Sequence, residues 1–324
     1  MVRAVITGIT GQDGSYLADL LLQKGYEVHG LVRDDSFLEK SNIGHLVADA
    51  SIRNRKLFLH CGDVTDPISL RDLLAKASPE EVYHLAGQSH VGRSIDQAET
   101  TCEMTGMGTL HLLEAIRHRG QPCRFLHASS SEIFGRPETS PQDELTPMRP
   151  ATVYGCAKAF ATQLTAVYRR TFDLFAVNAI LYNHESPRRG KDFVTQKICR
   201  AAAAIQEGRQ DELTLGNTAA LRDWGDAREY VQGIWLALQH PTPEDFVFAT
   251  GRLHSVQELV EVAFAAMGLD WRRHVRQDAS LLRAEEPSRL VGNSEKAKRR
   301  LGWEPKNSFR ELITEMTRAG LRKA

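Results

Sequence analysis

Tyr154 and Lys158 stand four residues apart, a spacing that puts a phenol and an ammonium on one face of a helix. Such a pair is suited to acid–base work, because a nearby ammonium favours phenolate and lowers the tyrosine pKa toward the working range. Upstream lies Ala128-Ser129-Ser130-Ser131-Glu132. In an extended segment Ser130 and Glu132 project to the same side. The Ser130 hydroxyl is then placed to hydrogen-bond a substrate oxygen that Tyr154 deprotonates, and Glu132 to act as a second base on a neighbouring carbon. A hydroxyl, a phenol, an ammonium and a carboxylate together suit proton removal from adjacent carbons and oxygens of one polyol.

A second cluster lies at the start of the chain. Gly8-Ile9-Thr10-Gly11-Gln12-Asp13-Gly14 has the spacing GxxGxxG where a strand turns into a helix. Glycines there let the backbone approach a pyrophosphate, whose charge the helix N-terminus favours. The pattern predicts a nicotinamide dinucleotide, and Lys158 is then placed to bind its nicotinamide ribose. After the second strand come Arg33, Asp34, Asp35 and Ser36. An arginine there pairs with the 2′-phosphate of NADP, whereas an acid accepts the 2′-hydroxyl of NAD. Both types are present, and the reading leans to NADP, with NAD open because of Asp34. Asp63 and Val64 are placed at the adenine edge. Leu85-Ala86-Gly87 ends the fourth strand, where small residues leave room for the cofactor.

The elements that must carry these groups alternate. Strands are expected over 2–7, 27–33, 56–60, 81–85, 124–127 and 174–181, with helices over 15–24, 101–117 and 154–170. Strand–helix alternation predicts βαβ units, a parallel sheet and right-handed crossovers: a Rossmann-type, doubly wound α/β fold. Past residue 183 the rhythm changes. Residues 183–190 read as a loop, 193–205 and 223–239 as helices, and 245–250 as a last strand. Ser255-Val256-Gln257-Glu258 is a capping box, and two short helices follow near 294–301 and 308–321. The expected division is a nucleotide-binding domain over 1–182 plus about 226–250, and a smaller, mostly helical substrate domain over 183–225 and 251–324.

Composition narrows the classes. Lys plus Arg and Asp plus Glu number 41 each in 324 residues, so the formal net charge is zero. That balance argues against a nucleic-acid or membrane-surface binder. No apolar run reaches the ~18 residues of a membrane span, and the N-terminal segment lacks the features of a signal peptide. The five cysteines are scattered without a CxxC, which indicates neither a zinc site nor a disulfide framework. The expectation is a cytoplasmic enzyme without a metal.

The motifs taken together resemble the extended short-chain dehydrogenase/reductases, and within them the GDP-mannose 4,6-dehydratases. The matching pieces include Thr7 to Leu17, Ala86-Gly87-Gln88-Ser89-His90-Val91, Ser131-Glu132-Ile133-Phe134-Gly135, Tyr154-Gly155-Cys156-Ala157-Lys158, Asn183-His184-Glu185-Ser186-Pro187-Arg188-Arg189-Gly190, Phe193-Val194-Thr195, Leu215-Gly216-Asn217, Arg222-Asp223-Trp224-Gly225 and Leu301-Gly302-Trp303. They span nearly the whole chain in family order. The resemblance implies that Tyr154 removes the C4 hydroxyl proton of a GDP-hexose while the C4 hydride passes to NADP⁺. Glu132 then takes the acidified C5 proton, water leaves C6, and hydride returns to C6. It implies Gln88 at the cofactor. It also implies Ser89, Glu132, Asn183, Arg189, Val194, Lys197, Arg222, Arg283 and Glu286 at the substrate, with Asn183 and Arg222 meeting the diphosphate and Arg283 and Glu286 the guanosine end. A homodimer or homotetramer is expected.

Four departures from the family pattern bear on these expectations. Ser130 replaces a usual threonine and keeps the hydroxyl. Arg33-Asp34 stands for Arg-Arg, in a loop that in the family reaches a neighbouring subunit's cofactor site. Thr152-Val153 stands for the Ser-Pro before the tyrosine, and Ser288 for an acid. Alternatives left open are a related substrate such as GDP-manno-heptose, and a 4-keto-reductase or epimerase of nucleotide sugars. The latter two need Tyr154 and Lys158 but no base like Glu132. A nucleotide-binding protein without chemistry is disfavoured by the intact Ser130, Glu132, Tyr154, Lys158 set.

Overall fold

The structure, a computed structural model, describes residues 1–36, 38–281 and 289–321. Its strands, in chain order, begin with β1 (Arg3–Thr7), β2 (Glu27–Val32), β3 (Leu57–Cys61), β4 (Glu81–His84), β5 (Arg124–Ser130) and β6 (Phe175–Leu181). They continue with β7 (Asn183–Glu185), β8 (Leu213–Leu215), β9 (Leu221–Arg222), β10 (Trp224–Asp226) and β11 (Phe246–Phe248). The helices are α1 (Gln12–Gln23), α2 (Gly44–Ala48), α3 (Pro67–Ala77), α4 (Ala98–Thr101), α5 (Gly108–Arg119), α6 (Val153–Phe172), α7 (Val194–Gln206), α8 (Ala227–Gln239), α9 (Val256–Ala266), α10 (Glu295–Leu301) and α11 (Phe309–Ala319).

Seven strands form one sheet in the order β11-β6-β5-β4-β1-β2-β3, and every pairing in it is parallel. This is the doubly wound fold expected from the alternation. Strand β1 shows why these segments are apolar throughout: Ala4 and Ile6 pack with Leu17 and Leu21 of α1 and Ile234 of α8, whereas Val5 packs with Leu70 and Leu74 of α3 and Leu112 and Ile116 of α5. The winding reverses between β1 and β4. Loops leaving their carboxyl ends diverge there and open a crevice. A separate core joins Ile198 and Ala202 of α7, Leu259 and Ala263 of α9, and Leu312, Ile313 and Met316 of α11. Among the described residues no helix is long and apolar enough to cross a membrane.

Several elements differ from the sequence expectation. The helix expected over 223–239 begins only at Ala227, with the Asp226 carboxylate accepting the Arg228 N–H at 2.8 Å. Residues 224–226 instead pair, parallel, with 183–185, a segment expected as loop. Burial explains the extended path. The Asp223 carboxylate accepts the N–H groups of Thr250, Gly251 and Gly292. A Cβ on Gly225 would sit 2.4 Å from the Tyr230 ring. Helix α3, with an Asp66 cap and Pro67 at its first turn, was not expected. The helix expected over 101–117 opens with a π-helical stretch at Cys102–Met107 before α5. The capping box at Ser255 and Glu258 is present as expected.

Candidate active site

The crevice holds a cleft of about 700 Å³. One half is built by the β1–α1 turn. Gly8 has φ +75°, and a Cβ on Gly14 would lie 2.2 Å from the Gly8 carbonyl oxygen, so the turn closes tighter than any side chain permits. Gly11 caps α1 without a side chain, which leaves the helix N-terminus facing the cleft. These features fit a dinucleotide pyrophosphate, and Gly8, Thr10, Gly11, Gln12, Asp13 and Gly14 all line the cleft. Arg33, Asp63, Val64, Leu85 and Ala86 continue the same wall. Asp34 does not line it. Its carboxylate folds back to accept the N–H and hydroxyl of Ser36, bonds that hold it below the usual carboxylate range. Gln88 does not line it either. Its amide is spent on the loop, donating to the His90 carbonyl at 3.2 Å and to the Thr101 hydroxyl at 3.3 Å.

Where β5 ends, the chemistry-bearing groups converge. Ser130, Glu132, Tyr154 and Lys158 line the same stretch of cleft. Ser130 and Glu132 do not share one extended segment as expected, because β5 stops at Ser130 and Ser131–Ile133 forms a 3₁₀ turn. The turn is pinned by the Glu132 N–H, which donates to the Ser130 hydroxyl at 3.3 Å. Helix α6 presents Tyr154 and Lys158 one turn apart, both buried. The Lys158 ammonium donates to the Ala128 carbonyl at 2.6 Å, and burial lowers its pKa to about 8.

The expected depression of the Tyr154 pKa is not found. Burial raises the phenol to about 12. A hydrogen bond from Ser130 works against that shift and the Glu132 charge adds to it. The Lys158 nitrogen lies 5.9 Å from the centre of the phenol ring, and its charge does not overcome the loss of water around a buried phenol.

The opposite wall comes from the segment after β6. Asn183, Arg189, Val194, Lys197 and Arg222 line it, and Ser89, after β4, lines the cleft as well. Arg189 stacks on Phe193, 3.6 Å from the ring centre, and ion-pairs with the buried Glu185 at 3.1 Å. Glu185 also accepts the Thr195 hydroxyl at 2.5 Å. Lys197 donates to the Thr214 carbonyl at 2.8 Å. Arg283 and Glu286 lie outside the described residues. Sequence reasoning passed over His184, although it stood inside a quoted motif. Its Nε2 meets the Asp13 carboxylate at 2.9 Å and its Nδ1 donates to the Tyr182 carbonyl at 2.7 Å.

Comparison with known proteins agrees with this geometry. A family model described as GDP-mannose 4,6 dehydratase matches residues 5–316. GDP-mannose 4,6 dehydratase 1 of Arabidopsis thaliana is 46% identical over 318 residues, covering 97% of this chain and 88% of that protein. A dTDP-glucose 4,6-dehydratase of Streptomyces venezuelae, solved with NAD bound, superposes with a TM-score of 0.84 at 25% identity, covering 98% of this chain and 96% of that one. A Pseudomonas aeruginosa protein solved with NADPH, RMD, shares the fold at a TM-score of 0.80 and 22% identity, covering 98% and 99%. With matches that run the length of the molecule and a cleft of this construction, the chain belongs to the GDP-mannose 4,6-dehydratase family.

Proposed function

We propose that the cleft converts GDP-mannose to GDP-4-keto-6-deoxy-mannose and water. The observation that supports this reading best is the meeting of Ser130, Glu132, Tyr154 and Lys158 on one stretch of the cleft, beside a glycine turn shaped for a pyrophosphate. A nicotinamide dinucleotide held by the glycine turn and Lys158 would supply reversible hydride chemistry, so the overall reaction is redox-neutral. The protein's part is to bind, orient and move protons. Tyr154 takes the C4 hydroxyl proton. It does so as phenolate, its own proton having first left to solvent, an ionisation that burial opposes and the Ser130 hydrogen bond favours. The C4 ketone acidifies the C5 proton, Glu132 removes it, the C6 hydroxyl departs as water with the proton that Tyr154 took, and Glu132 returns its proton to C5 as hydride reaches C6. Lys158, fixed by the Ala128 carbonyl, would hold the nicotinamide ribose with its ammonium.

The reading extends to the rest of the cleft. Residues 1–182 with about 226–250 hold the dinucleotide, and 183–225 with 251–324 hold the nucleotide sugar. Asn183 and Arg222 meet the diphosphate, Arg222 with its guanidinium. The dinucleotide is NADP: Arg33 lines the cleft while the Asp34 carboxylate is folded onto Ser36. Assembly as a homodimer or homotetramer is part of the proposal. It is supported by Phe160 and Val167, exposed two helical turns apart on α6.

The test is incubation of the purified protein with GDP-mannose. The expected product has lost one water, with no net change in absorbance from reduced cofactor. Glu132→Gln is expected to abolish dehydration while exchange at C4 persists. Wild-type turnover in that variant would remove Glu132 from the C5 step.

A further inference from the structure

We propose that Arg93 and Asp192 form a latch across the mouth of the cleft, one that parts each time a nucleotide sugar enters or leaves. This rests on the function proposed above and deepens it by naming where substrate exchanges. The two residues belong to opposite walls. Arg93 ends a 3₁₀ turn, Val91–Arg93, in the segment after β4. Asp192 stands between β7 and α7. The Arg93 guanidinium donates to Asp192 Oδ2 at 2.8 Å, and the two side chains are 56% and 45% exposed. Beside this pair, His90 and Phe193 bring their rings to 5.3 Å with 49° between the planes. His90, Asp192 and Phe193 all line the cleft. The walls therefore meet twice at this rim, once through charge and once through rings.

Each half of the contact is braced within its own wall. The Arg93 N–H donates to His90 Nδ1 at 3.2 Å, which fixes that ring to the turn carrying the guanidinium. On the other wall, the Phe193 N–H donates to the Gly190 carbonyl at 3.2 Å, and the Phe193 carbonyl accepts the Lys197 N–H at 2.8 Å. The Arg189 guanidinium covers the Phe193 ring. Among the described residues the side chains of Arg93 and Asp192 bond only to each other. They contribute nothing to either wall alone. The base of the cleft is joined differently. There Asp13 meets His184 at 2.9 Å with side chains only 22% and 10% exposed, and Gln12 donates to the His184 carbonyl at 3.0 Å. Breaking buried polar contacts leaves unpaired groups away from water and is costly. An exposed ion pair shifts an equilibrium by no more than about fivefold. The walls thus separate at the rim while the base stays joined, and a contact this weak delays exchange without preventing turnover.

The probe is a fluorescent GDP analogue, followed by stopped flow on the NADP-loaded enzyme for its association and dissociation rates. A latch opposes movement in both directions, so loosening it speeds both. Arg93→Ala and Asp192→Ala are each expected to raise both rate constants by about two- to fivefold, with Kd within about twofold. Arg93→Lys keeps a cation within reach of Asp192 and is expected to exchange the probe at close to the wild-type rates. Attraction by surface charge alone makes a different prediction. The probe is an anion, so loss of the arginine would slow association and loss of the aspartate would speed it. Opposite signs in the two alanine variants, or unchanged rates in both, overturn the proposal. Failure of the underlying reading looks different: the wild-type enzyme would then bind no GDP analogue at all, and the latch would fall with it.

Discussion

Lys158→Met tests whether the ammonium is held in the cleft at a cost. Burial brings the Lys158 pKa from 10.5 to about 8. At roughly 1.4 kcal/mol per unit this is about 3 kcal/mol against the charged form. The bond from the ammonium to the Ala128 carbonyl, 2.6 Å long, returns about 1.5–3 kcal/mol, as hydrogen bonds of charged groups do. The two nearly cancel at pH 7, so the variant is expected to unfold at close to the wild-type urea midpoint there while losing turnover. The pH dependence is the sharper measurement. Between about pH 8 and 10.5 the unfolded chain keeps the lysine proton while the native protein releases it. Stability contributed by this position therefore rises with pH through that window, and the native state carries the penalty below it. The difference in unfolding free energy, wild type minus variant, should grow by about 2 kcal/mol between pH 7 and pH 10. Groups common to both proteins cancel in the subtraction. Parallel urea-denaturation curves across that range, measured without added nucleotide, would refute the argument that burial governs this ammonium.

Two further outcomes follow from the nucleotide half of the cleft. Arg33→Ala removes the guanidinium that lines the cleft near the expected 2′-phosphate. NADP should bind at least tenfold more weakly, a loss of about 1.4 kcal/mol or more, with NAD affinity unchanged. Equal weakening of both, by fluorescence titration, would take Arg33 away from the 2′ position. Gly14→Ala drives a Cβ to within 2.2 Å of the Gly8 carbonyl oxygen and 2.7 Å of Ile9 Cα, both backbone atoms. The melting temperature should fall by several degrees and dinucleotide binding should be lost. A variant that melts and binds like wild type would show that the turn is looser than it stands.

What could be read from residues alone was local chemistry with a fixed spacing. The glycine turn, the Tyr154–Lys158 pair and the Ser255–Glu258 box each depend on atoms within one or two turns of chain, and each lies where expected. What could not be read depended on partners far along the sequence. Residues 223–226 have enough apolar and charged character to pass for the start of a helix. Asp223, however, collects N–H groups from Thr250, Gly251 and Gly292, and β10 finds its partner in β7. The phenol of Tyr154 was misjudged for a similar reason. Its neighbour in sequence is a cation, but its pKa is set by the burial that the fold imposes. Helix α3 is a different miss, because Asp66-Pro67 is a start signal visible in the chain.

His184 and Asp13 show how the two halves of the cleft are made into one site. An acid in the first turn of α1 stands where an anionic pyrophosphate is to be bound, and on its own it would oppose that charge. Burial pushes the Asp13 carboxyl up, and His184 beside it, with Arg189 and Gln12, more than offsets this, leaving it below its ordinary value. Burial likewise pushes His184 down, and Asp13 more than restores it. Each partner thus favours the charged form of the other, and His184 offsets the Asp13 charge from behind. The same contact is reinforced by Gln12, which donates to the His184 carbonyl at 3.0 Å and accepts the Ser186 hydroxyl at 2.8 Å. A motif in the first turn and a motif some 170 residues later, 171 apart for Asp13 and His184, are therefore one hydrogen-bonded unit. Movement of the segment from Asn183 to Arg189, whose side chains line the cleft, must be transmitted to the glycine turn on the other wall.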